Sequence, residues 1–473
     1  MSTTDHDDRR SDGPDDDVPS PTLADRLRVA QDGDGYAYRP GRLVMRGSSG
    51  QLERIRGILG GDVARIISER DGMRTQVLTG VDNEQAAIER LRAERFDVQP
   101  DHVLFAHGSC LDGCGPHPAD MFELLHEGAA GPFGANPWRA NPWRANPYRA
   151  NPWRANPWRA NPYRANPNAT GGTPTSTAEP AIAPETTPRG GNAPGPHARV
   201  VVLDTGLADR ADQCPPLLAP PAEHSGAWRI NGTVEVPDAA IEGRHGVTHP
   251  PDGYLDPVAG HGTFIAGLIE QYARGCTIDV RGVVAPLGDV TESDVTFALE
   301  QEIARPAGVR PDIISMSFGG HLSEGSFALR ESVAAAVEAG IVLVASAGND
   351  GSCLPSYPAA FPGVVAVGAL GPDGPAPWTN YGCWVDACAP GTDLVSSFFR
   401  SFDGKLPKIN SVDPDHFRGW ACWSGTSFAA PLVVAALARE MASSPCTATE
   451  AVDRVVHARH LVRIPCLGTV VNI

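Results

Sequence analysis

The C-terminal half of this chain predicts an α/β fold, a mostly parallel sheet with helices on both faces. Two observations predict it. From 198 to 473, short apolar runs alternate with longer helical stretches, the pattern of a parallel sheet covered on both sides. Polar residues set among glycines fall at the ends of these runs, where sites form in open α/β sheets. Strands are expected at 199–203, 313–317, 341–345 and 364–367, and helices at 264–273, 324–339 and 427–441.

A smaller α+β unit comes first. Residues 42–46 read as a strand, and 51–59 carry Leu52, Ile55, Ile58 and Leu59 at helical spacing. Strand-like runs follow at 63–67 and 75–79. A helix at 84–95 is introduced by the cap-like Asp82-Asn83, and a last strand covers 96–105. The order β-α-β-β-α-β predicts a small ferredoxin-like sandwich over 41–108.

The remaining segments are set apart by composition. Residues 1–40 are acidic and rich in Pro, Ser and Gly, as expected of a solvated tail. After a connector at 109–134, Ala-Asn-Pro-Trp/Tyr-Arg recurs every five residues over 135–167. A proline at that period excludes a regular helix or central strand, leaving serial turns or an extended ribbon. Residues 168–197 read as a linker. The repeat admits a spacer, a Trp/Arg binding ribbon, or a substrate of the chain itself.

Bulk properties narrow the function. With 473 residues and 41% hydrophobic residues there is material for two or three folded units. A net charge of −17 argues against nucleic acid or an anionic membrane as partner. No run reaches the ~18 apolar residues of a membrane span. The absence of a signal-peptide pattern points to the cytoplasm, with export by a non-standard route open. The ten cysteines pull the other way. Local disulfides among Cys383, Cys388 and Cys422 stay open, and Cys110 and Cys114 lack a second pair at zinc spacing.

Four motifs carry chemistry. Asp204-Thr205-Gly206 ends an apolar strand, and Gly260-His261-Gly262-Thr263 opens a helix. Asn349 lies in Ser346-Ala347-Gly348-Asn349-Asp350 after a buried strand. Ser427 begins a long apolar helix in Gly425-Thr426-Ser427-Phe428-Ala429-Ala430-Pro431. Singly, each reads as a turn, a helix start or an N-cap. Together they supply a nucleophile, a base, a group to orient the base and an oxyanion donor. An aspartic protease built on Asp204 would need a second Asp-Thr/Ser-Gly, which is absent.

In this chain order of Asp, His and Ser, residues 198–473 resemble the catalytic domain of the subtilase family. The resemblance implies a subtilisin-like fold and serine endopeptidase activity through Asp204, His261 and Ser427, with Asn349 at the oxyanion. Ser315-Met316-Ser317-Phe318-Gly319-Gly320 resembles the family's substrate-binding strand, which implies peptide contacts at Ser315, Ser317, Phe318 and Gly319. Ser356-Tyr357-Pro358 resembles the lining of the specificity pocket, with a cis bond before Pro358. Ala345, Ser346, Gly348 and Ser356 there suggest medium apolar side chains. The interval from Asp204 to His261 implies an inserted surface loop within 209–255. The chemistry requires no cofactor; structural calcium is frequent in the family, but no ligands are assignable here.

Residues 41–108 resemble a subtilase propeptide, most clearly at Asp101-His102-Val103. That implies a partner in cis, cut near His107-Gly108, besides protein or peptide substrates. The competing reading is a catalytically silent scaffold displaying the Trp/Arg repeat.

Overall fold

The computed structural model describes residues 28–29, 36–60, 62–106, 117–118, 198–209, 230–235, 241–242, 248–249, 255–256, 258–285, 287–323, 326–400, 402 and 417–473. The expected connector (but for 117–118), the repeat and the linker lie outside them.

The N-terminal unit runs β1 (Ala37–Gly47), α1 (Ser49–Leu59), β2 (Asp62–Arg70), β3 (Met73–Thr79), α2 (Glu84–Ala93) and β4 (Asp97–Ala106). Its antiparallel sheet has the order β4-β1-β3-β2, and Leu43, Met45, Leu78 and Val98 meet Leu52, Ile55, Ile88 and Leu91 of the helices in one core. Two boundaries differ from the sequence expectation. The acidic tail was expected through 40, yet β1 starts at Ala37 and pairs with Arg28–Val29. Pro40-Gly41, at the expected end of the tail, forms an irregularity inside the strand, where pairing shifts between Tyr38 and Leu43. Helix α2 stops at Ala93, because Arg95 takes a left-handed φ of 65°.

In the larger unit the strands are β5 (Arg199–Asp204), β6 (Ile230–Gly232), β7 (Thr277–Gly282), β8 (Asp289–Thr291), β9 (Ile313–Met316), β10 (Phe318–Gly319), β11 (Val342–Ser346), β12 (Val364–Gly371), β13 (Ala387–Pro390) and β14 (Gly468–Val470). Helices α3 (His261–Tyr272), α4 (Glu292–Ile303), α5 (Ala328–Glu338) and α6 (Thr426–Ser443) lie between them. Eight strands form a parallel sheet ordered β14-β13-β12-β11-β9-β5-β7-β6.

Alternation along β5 shows why its sequence is apolar throughout. Val200 and Val202 pack with Phe264 and Leu268 of α3 and Phe428 and Leu432 of α6. Val201 and Leu203 pack on the other face with Val295 and Leu299 of α4 and Leu329 of α5. Successive side chains of a strand point to opposite faces, so a strand buried on both must be apolar at every position. The fold is α/β, and the strand ends along one rim carry the polar residues.

Candidate active site

Asp204 is the last residue of the central strand β5 and is buried. Its Oδ1 accepts hydrogen bonds from the Thr205 N–H at 2.8 Å and from His261 Nδ1 at 2.7 Å. His261 is the first residue of α3. The glycines on either side of it are required by close approach. A Cβ on Gly260, whose φ is +78°, would stand 2.1 Å from the Phe398 ring, and one on Gly262 would stand 2.3 Å from the Gly206 carbonyl. The imidazole lies edge-on to Trp423 at 5.3 Å and 5.1 Å from the Phe428 ring. His261 Nε2 and Asp204 Oδ2 have no hydrogen-bond partner.

Ser427 sits in the first turn of α6, one residue before that phenylalanine. Its hydroxyl donates to the Ser317 carbonyl at 3.2 Å, and the Ser317 hydroxyl donates back to the Ser427 carbonyl at 2.9 Å. The second bond has a cause in the sequence. Pro431 lacks the N–H that would reach the Ser427 carbonyl four residues back, so the freed acceptor is satisfied from another element. The Ser427–His261 hydrogen bond is not formed in this state. Catalytic hydrogen bonds often tighten only with substrate bound, and a turn about the Ser427 side-chain bond exchanges one acceptor for another.

Asn349 follows β11. Its Oδ1 accepts from the Thr426 N–H at 3.0 Å and the Thr426 hydroxyl at 2.9 Å, while the Gly348 N–H donates to the same hydroxyl at 3.1 Å. Holding the amide by its oxygen orients the nitrogen as the free donor. The structure thus brings Asp204 and His261 into contact, and Asn349 to the residue before Ser427.

The expected substrate-binding residues divide. Ser317, Phe318 and Gly319 line the edge next to Ser427, and β10 pairs antiparallel with β4. Gly348 and Ser356 flank the same rim, and Gly320 bridges Tyr357, whose bond to Pro358 is cis. Ser315 and Ala345 lie within strands of the central sheet. Ser315 lies inside β9, paired with Val202 and Val344, and Ala345 is buried in the core beneath α4 and α5. Alternation along the strands puts the two on opposite faces of the sheet, Ser315 in register with Val202 and Val344 and Ala345 with Met316. Ser346, the last residue of β11, is buried against Val367.

Of the expected disulfide candidates, Cys383 and Cys388 are unbridged, and burial pushes the Cys388 thiol up to about 11. Among the described residues no group of three or more His, Cys, Asp or Glu is placed to hold a metal ion, and no helix is long and apolar enough to cross a membrane.

Three residues to which the sequence reading gave no role shape this site. Thr205 and Thr426 lie within the quoted motifs, beside Asp204 and Ser427, and their hydroxyls were the available signal. Glu235 gave none, because it lies in the stretch read as an inserted loop, yet its Oε1 accepts from the Gly260 N–H at 3.1 Å.

The chain is 32% identical over 208 residues to the minor extracellular protease Epr of Bacillus subtilis, which covers 42% of this chain and 29% of that protein. Against the thermostable alkaline protease of Halalkalibacterium halodurans it is 32% identical over 213 residues, 43% of this chain and 50% of that protein. Against subtilisin DY of Bacillus licheniformis it is 28% identical over 286 residues, 57% of this chain and 90% of that protein. The chain therefore spans half or less of the length of the first two. The subtilase family model matches residues 195–459, more than half of the 473-residue chain, so the chain belongs to the subtilase family.

Proposed function

We propose that the chain is a serine endopeptidase that hydrolyses peptide bonds through Asp204, His261 and Ser427. The observation that carries the reading is the buried 2.7 Å bond between Asp204 and His261, beside a serine at the start of α6. In this reading His261 Nε2, unpartnered in the resting state, takes the Ser427 proton as Oγ attacks the scissile carbonyl carbon. Asp204 holds the tautomer with the proton on Nδ1 and stabilises the imidazolium that forms. The Asn349 amide nitrogen and the Ser427 N–H donate to the developing oxyanion, aided by the positive end of α6. The imidazolium then protonates the leaving amine, and water releases the acyl group by the same steps in reverse order.

The same reading takes the N-terminal unit as a propeptide-like inhibitor of ferredoxin-like topology. Strand β4 supports it. Val103, Leu104 and Phe105 pair with Thr291, Val290 and Asp289 of β8, while Phe105 and Ala106 pair with Gly319 and Phe318 of β10. An extended peptide adding to those edges is how a substrate would bind, so β4 occupies that place in cis. Leu104 is fully buried in the core of the larger unit.

Intact-mass measurement of the wild-type chain beside Ser427→Ala tests both parts. A cut just after Ala106, near Gly108, in the wild type and absent from Ser427→Ala is the expected result. Reaction of Ser427 with a fluorophosphonate in the wild type is the second. If neither cleavage nor labelling occurs, the protease reading is wrong.

A further inference from the structure

The catalytic Asp–His pair rests on a third acid whose role the triad does not explain. Glu235 lies on the short Val234–Glu235 strand, which pairs in parallel with Leu207–Ala208 just beyond Asp204. Its Oε1 accepts from the Gly260 N–H at 3.1 Å, one residue before His261. The Gly262 N–H, one residue after His261, donates to the Thr205 hydroxyl at 3.2 Å, and that hydroxyl also lies beside the Glu235 carboxyl. Thr205 in turn donates its own N–H to Asp204. Both peptide groups flanking His261 are therefore tied to the Glu235–Thr205 pair. A Cβ on Gly206 would meet Glu235 Cβ at 3.0 Å, so the two strands touch. The second oxygen, Oε2, is buried without a partner.

We propose that Glu235 is a positioning residue of the catalytic pair, clamping the Gly260–Gly262 turn and Thr205 so that His261 stays aligned on Asp204. This rests on the endopeptidase reading above. The acid does this work uncharged. Burial first, then repulsion from Asp204 and Asp256, outweigh the hydrogen bonds from Thr205 and Gly260 and push its carboxyl up to about 8. The charged groups facing it are Asp204 and Asp256, with the titratable His261 next to its partner Gly260 and exposed Asp209 one residue beyond its strand partner Ala208. Below about pH 8 the neutral carboxyl keeps the clamp. Above it, a carboxylate in that dry site loses its place between two like charges, and His261 is released from its alignment.

The test compares the full-length wild type, Glu235→Gln and Glu235→Ala in peptide hydrolysis, with Ser427→Ala as blank. Glutamine keeps the acceptor for Gly260 and cannot ionise. Expected is a fall in kcat of about tenfold to a hundredfold for Glu235→Ala with KM unchanged, the scale of a misaligned catalytic group, and recovery of most of it in Glu235→Gln. Wild-type kcat should decline as pH rises through about 8, and the glutamine variant should lack that decline. Proton NMR of the His261 Nδ1–H in contact with Asp204 gives a readout independent of turnover, with the downfield signal lost or broadened in Glu235→Ala and retained in Glu235→Gln. Equal kcat and an equal signal in all three proteins would overturn the proposal, as would a glutamine variant as impaired as alanine. A wild type no more active than Ser427→Ala, with the signal still dependent on residue 235, would sink the protease reading and leave the clamp standing.

Discussion

Pro431 and Ser317 show how single residues couple distant elements here. A proline inside α6 costs one helical hydrogen bond, and the carbonyl it leaves belongs to Ser427. The Ser317 hydroxyl satisfies that carbonyl and so ties the serine helix to the strand edge where a peptide would lie. Ser317→Ala should lower stability by about 1–3 kcal/mol, the cost of a buried acceptor left unpaired. In a Pro431→Ala background, residue 431 regains an N–H for the same carbonyl, and the loss from Ser317→Ala should shrink. Thermal melts of the four proteins in that cycle check it; equal losses in both backgrounds would remove the link. The motifs holding Asp204, His261, Asn349 and Ser427 were legible because residue type and glycine context coincide in each. The Ser317–Ser427 bond was not, since nothing local announces which element will supply a missing donor.

The helices α4 and α5 show what elements need from their neighbours. A helix start leaves backbone N–H groups without intrahelical partners, and α5 has no side-chain cap of its own. Gln99 of β4 supplies it, accepting from the Phe327 and Ala328 N–H groups, and Asp101 accepts from the Ser293 N–H of α4. Glu292, at the start of α4, gathers His102, Gln99, Ser326 and the Leu329 N–H around one buried carboxylate. Burial alone raises its pKa, but His102 and these hydrogen bonds outweigh it and hold the carboxyl below its usual value of 4.5. A depressed pKa makes the contribution present above about pH 4.5 and lost as the pH falls through the lower folded value. In a Ser427→Ala chain, Glu292→Gln should therefore cost of order 3–5 kcal/mol at pH 7, with the gap in melting temperature closing as the pH drops below 4.5. A gap that stays constant with pH would show that Glu292 is not charged in the folded protein. The helix at 264–273 and its opening at Gly260-His261-Gly262-Thr263 were both legible, and the structure starts that helix at His261. The start of α5 lay beyond reading, because its cap comes from a residue 228 positions away.

Across the whole molecule, the contact between the two units is apolar at its centre and charged at its margin. Leu104 and Ala106 share a core with Val284, Val290 and Phe318. Around them, Arg39 pairs with Asp289, Arg46 with Glu331, Arg65 with Asp294 and Arg70 with Glu300, all across the two units. Basic groups on one side meet acidic groups on the other, so docking should weaken in salt. Between 0.1 and 1 M NaCl the screening length falls from about 10 Å to about 3 Å. Peptide hydrolysis by the processed protein, with its N-terminal unit still associated, should rise several-fold over that range. A rate that does not change with salt would assign the hold of the N-terminal unit to Leu104 and its neighbours alone.

What the sequence by itself determined is whatever is encoded locally. An apolar run ending in Asp204, glycines on both sides of His261, and a serine before Phe-Ala-Ala-Pro state their residue types and turns within a few positions. The α/β class of the larger unit follows from the order of such runs. The tertiary structure decided what depends on groups far apart in the chain. It set Ser315 and Ala345 inside the central sheet, each on a strand paired on both sides, with Ala345 in the core shared with Met316 and Leu203. It also brought Glu235 under His261 from a stretch with no readable pattern. Hydrogen bonds and burial act over a few ångströms of space, and only the fold sets which residues lie that close.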